Sequence, residues 1–76
     1  MEFEKLLYDK EDLEVTIQDL HKVADELEEI KNKSFGLAHD KTKQFLKEVE
    51  KEIEWNEQIL DEIKEGIEFF ELHKDK

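Results

Sequence analysis

The 76-residue chain has no cysteine, no proline, no arginine and only two glycines, and its apolar runs are as short as the pairs Leu6–Leu7 and Phe69–Phe70. Each absence removes a class of function. Without cysteine there is no disulfide framework, no thiolate zinc site and no thiol nucleophile, and the composition fits a reducing compartment. A cytoplasmic location is therefore expected. The short apolar runs exclude a membrane-spanning helix and the hydrophobic centre of a signal peptide. Gly36 and Gly66 stand alone, so there is no glycine-rich phosphate loop. Length counts against an enzyme as well, because one domain of this size buries too little surface to form a deep cleft.

Positive charge is also scarce. Twelve Lys stand against 23 Asp plus Glu, for a net charge of −11. Such a balance disfavours direct contact with nucleic acid or with an anionic membrane, both of which reward clustered cations. The expected partner is a basic protein. A strongly acidic chain can also be disordered, but disorder lacks a sustained apolar period, and two such periods run through this sequence.

In the first half, Leu6, Leu13, Leu20 and Leu27 recur every seven residues, with Phe3, Ile17 and Ala24 three positions ahead of three of them. In the second, Leu46, Ile53, Leu60 and Ile67 recur likewise, followed three positions on by Val49, Asn56, Ile63 and Phe70. Both are heptad patterns of coiled-coil helices, and the abundance of Leu, Ile, Glu and Lys favours helix throughout. One interruption separates them. Gly36 can adopt the left-handed backbone that ends a helix, and Asp40 or Ser34 can cap the next. The spacing predicts an all-α fold of a single domain: a helix over about 2–33, a turn over about 34–40 and a helix over about 41–73, each helix some 45 to 50 Å long.

The two periods fit one another. In an antiparallel pair, facing residue numbers add to a constant, and here the constant is 73: Leu27 meets Leu46, Leu20 meets Ile53, Leu13 meets Leu60, Leu6 meets Ile67, Phe3 meets Phe70 and Ala24 meets Val49. Two layers carry one polar residue each, Ile17 with Asn56 and Lys10 with Ile63. Asn56 is expected to fix register by finding a partner across an interface, at some cost in stability.

One seam leaves the other faces open. Phe45, Trp55, Ile59, Gly66 and Phe69 form a further stripe on the second helix, flanked by Val23 and Ile30 of the first. Clustered exposed apolar surface marks a contact, and Gly66 would let another backbone come close. The expected use is a homodimer face giving a four-helix bundle; the rival is a face for a different protein. Charge suggests how hairpins would align. Residues 1–30 carry −8, residues 31–47 carry +4 and residues 48–72 carry −8, with +1 in the tail, so antiparallel hairpins would set each basic turn against an acidic open end.

The acids expected on the surface are Glu11, Asp12, Glu14, Asp19, Asp25, Glu50, Glu54, Glu57, Asp61, Glu62, Glu65 and Glu68. They admit two readings. The first is solubility alone. The second is a carboxylate array that imitates phosphates and occupies the basic groove of a nucleic-acid-binding protein, as an inhibitor or decoy. A structural coiled-coil adaptor, or an antitoxin- or immunity-type binding protein working through the aromatic stripe, is the alternative. No catalytic, cofactor or metal site is expected. His21 and Asp25 are one helical turn apart, but there is no Glu-x-x-His and no second histidine nearby. Ser34, the only serine, lies in the turn. Lys31, Lys33, Lys41, Lys43 and Lys47 gather around that turn, the first two being suited to the C-terminal dipole of the first helix.

Overall fold

The structure is a computed structural model and describes residues 2–73. The weakly basic tail at 74–76 lies outside the described residues. Two antiparallel helices make up the fold: α1, Glu2–Lys33, and α2, Leu37–Leu72. They pack along their length into an all-α hairpin measuring 62 × 15 × 14 Å. Its radius of gyration, 17.4 Å, is well above the roughly 11 Å of a compact domain of this length. The shape is a rod.

The turn is shorter than its sequence suggests. Helix resumes at Leu37, four residues before the expected start, because Gly36 takes φ 68° and ψ −138°, a backbone closed to residues with a Cβ. Gly36 is itself the N-cap of α2, which no side chain caps. This corrects the capping roles expected of Asp40 and Ser34. The Asp40 amide donates to the Gly36 carbonyl within the first turn of α2. Ser34 turns the other way, its hydroxyl donating to the Ile30 carbonyl at the end of α1. Leu37 and Ala38 can then enter the helix directly.

His39 closes this end. Its Nδ1–H donates to the Lys31 carbonyl at 2.9 Å, across the turn, and the Ser34 amide reaches the same oxygen at 3.3 Å. One orphan carbonyl of the α1 terminus is thereby satisfied from α2. At the other end of α2 the His73 imidazole donates to the Phe69 carbonyl and stacks on the Phe69 ring at 4.2 Å.

The seam follows the expected register. Phe3 and Phe70 meet edge to face with ring centroids 5.7 Å apart, and Leu6 approaches Gly66. Glu14 and Ile17 share a shallow groove with Glu57 and Leu60. Burial is unequal between the helices. Leu46, Val49, Ile53, Leu60 and Ile67 of α2 are buried, but only Ile17 of α1 is. Leu6, Leu13, Leu20 and Leu27 remain half-buried. Among the described residues no side chain is fully enclosed, as expected where one seam supplies the whole core.

Asn56 behaves differently from expectation. It is half-buried, and its Nδ2 donates to the Glu52 carbonyl at 2.7 Å, within its own helix. The hairpin's register therefore owes nothing to a cross-seam bond from this amide. An i−4 carbonyl is always in reach of a short polar side chain on a helix, so the local bond competes well with a distant one.

Candidate interaction surfaces

The aromatic stripe of α2 is largely uncovered. Phe45, Trp55 and Phe69 are 57%, 62% and 59% exposed, with Val23 and Ile30 exposed on the neighbouring edge of α1. Ile59 and Gly66 are half-buried. Gly66 needs a correction. A Cβ built there would lie 3.4 Å from Leu6 Cδ1, so the room this glycine leaves lies beside α1 of its own chain rather than open to an incoming backbone.

Other exposed apolar side chains were not singled out by the stripe. Tyr8 and Val15 stand seven apart on the outward row of α1, beside Leu7. That spacing is readable in the sequence, although without a second row it names no seam. Phe35 and Leu37 flank Gly36 at the tip and are the most exposed large apolar residues described, at 89% and 73%. The tip therefore combines apolar surface with Lys33, Lys41, Lys43 and Lys47.

The acidic sheath is present on both stems. Glu11, Asp12, Asp19, Asp25, Glu50, Glu54, Glu57, Asp61, Glu62, Glu65 and Glu68 are exposed, and Glu14 is half-buried at the groove it shares with Glu57. Among the described residues there is one ion pair, Lys31 Nζ to Glu28 Oε1 at 3.2 Å. Among the described residues no other carboxylate has a cation within bridging distance, so the repulsion between them is left to solvent and salt to relieve. His21 is exposed as well.

No group of three or more His, Asp or Glu among the described residues has an arrangement that could hold a metal ion. No helix among them is long and apolar enough to cross a membrane. What the hairpin offers is surface: an aromatic edge, two acidic stems and a basic tip. In comparisons with known proteins, no family model matches the chain, and neither a curated protein nor a solved structure matches it.

Proposed function

We propose that the protein is a non-enzymatic interaction module that lays its carboxylate-covered stems in the basic groove of a nucleic-acid-binding protein, as an inhibitor or decoy. The observation that carries this reading is the sheath itself. Two stems of −8 each lie along a rod 62 Å long, with one ion pair among the described residues. Carboxylates accept bidentate bonds from the same Arg and Lys that hold a phosphate backbone.

Magnitude supports competition with nucleic acid rather than equivalence to it. A duplex carries one charge per about 1.7 Å, or some 36 over this length, whereas the stems together hold a little under half that density. Binding should thus be strong at low salt and fall steeply as salt rises.

The experiment is capture from extracts of the native host on the immobilised chain, elution with rising salt, and competition of the captured protein by duplex DNA. A basic nucleic-acid-binding protein that elutes with salt and is displaced by DNA is the expected result. Changing Glu54, Asp61 and Glu68, one seven-spaced outward row, to Lys should weaken that complex at least about tenfold. A partner retained at high salt and indifferent to DNA would sink the proposal.

The exposed aromatic edge favours a second reading, a coiled-coil adaptor that docks a heterologous helix. Its signature is a Trp55→Ala variant that loses a partner protein while its own self-association is unchanged.

A further inference from the structure

α2 carries a second heptad seam beside the one that closes the hairpin. Phe45, Glu52, Ile59 and Gly66 recur every seven residues, and Glu48, Trp55, Glu62 and Phe69 do the same three positions later. That three-four alternation is the contact pattern of a coiled coil. Its aromatic members stand more than half exposed, so α1 leaves the aromatic positions of this seam uncovered.

The order of residues along it is two-fold symmetric. When such a seam packs antiparallel on a copy of itself, a residue of the first row faces one of the second, and facing numbers add to a constant that changes in steps of seven. At 114, Phe45 faces Phe69 of the second copy and Trp55 faces Ile59, and the same contacts recur with the copies exchanged. At 107, Trp55 faces Glu52 and Phe45 faces Glu62; at 121, Phe69 faces Glu52 and Ile59 faces Glu62. The middle register alone of these three keeps each large apolar residue away from a carboxylate.

We infer that this edge is occupied by a second copy of the chain, antiparallel, with the two-fold axis at the level of Glu57 and the register just described. Charge agrees with it. Over whole segments, antiparallel pairing sets the +4 tip of each copy beside an acidic stem of the other. Lys33, Lys41, Lys43 and Lys47 make no ion pair within the hairpin among the described residues. A parallel pairing would instead stack tip on tip and acid on acid. Residues 42 to 72 of α2 overlap, roughly 46 Å of contact. The one unfavourable juxtaposition is Glu52 against Glu62, which occurs twice in the dimer, and it makes the register testable.

Sedimentation equilibrium of the full chain should show a dimer. Glu52→Lys turns both repulsions into attractions and should tighten it about tenfold, while adding Glu62→Lys restores like charges and removes the gain. Trp55→Ala should weaken the dimer by tenfold or more with unchanged circular dichroism, since Trp55 is mostly outside the hairpin core. The cysteine-free chain also allows a direct test: a mixture of Glu52→Cys and Glu62→Cys chains should oxidise to the mixed disulfide ahead of either symmetric one. A wild-type chain that stays monomeric, a Glu52→Lys variant that associates no more tightly, or a predominance of symmetric disulfides would overturn the inference. None of these readouts involves a basic partner, so the dimer and the proposed function stand or fall separately.

Discussion

The two glycines act in opposite senses, and single substitutions should separate them. Gly36 has open space where a Cβ would go, yet its positive φ makes any side chain costly; Gly36→Ala should destabilise the hairpin by about 1–3 kcal/mol. Gly66 lies inside α2 with ordinary helical backbone, and a methyl there would meet only the tip of Leu6 at ordinary van der Waals range. Gly66→Ala should stabilise by about 0.5–1 kcal/mol through helix propensity. Thermal melts resolve both, since 1 kcal/mol moves Tm of a domain this small by about 4–8 °C. A Gly36→Ala variant that melts no lower than the wild type would mean that the backbone does not demand glycine there, and a Gly66→Ala variant that melts lower would mean that Leu6 does not give way. The roles of these residues were only half legible in the sequence. That Gly36 breaks the helix follows from its identity, but that it also starts the next one depends on ψ, which composition does not encode. The His39 bond to Lys31 was equally hidden, because it exists only once the turn is three residues long.

At the scale of the element, the helices and their register were readable because a seven-residue period repeats across four layers of each, and two such periods agree on one pairing. Polar detail within a layer was not. Asn56 sits at a seam position opposite Ile17, but its amide is spent on its own helix, so the layer has the polarity of an Asn without a cross-seam bond. Replacing Asn56 with Leu should raise the melting temperature, because the lost local bond is worth little and a half-buried position gains apolar contact. Sedimentation should also show a broader spread of oligomers, as a seam left with Lys10 as its one polar residue discriminates less between registers. A melting temperature that stays the same or falls would show that the amide matters to this layer after all. The unequal burial of α1 and α2 was illegible for a similar reason: both helices have equally regular heptads, and only packed side chains reveal that α2 supplies most of the buried residues.

For the whole molecule the governing term is like charge held on a narrow rod. Stems of −8 run side by side in a hairpin about 15 Å across, a width comparable to the Debye length of about 10 Å at 0.1 M salt. Raising sodium chloride from low concentration to about 1 M, where the Debye length is about 3 Å, should therefore raise the melting temperature. A fall would mean that attraction, not repulsion, dominates the folded surface. The surface charge was legible as a total and as a pattern along the chain, whereas the near absence of ion pairs needed the side chains in place. The same rod has a mechanical character set by its open end. Phe3 and Phe70 close that end by touching across the seam, so force drawn through Glu2 and His73 loads this layer first and each deeper layer in turn, down to the bond between His39 and Lys31. Pulled in this geometry the hairpin unzips one layer at a time at low force, instead of shearing all its layers at once.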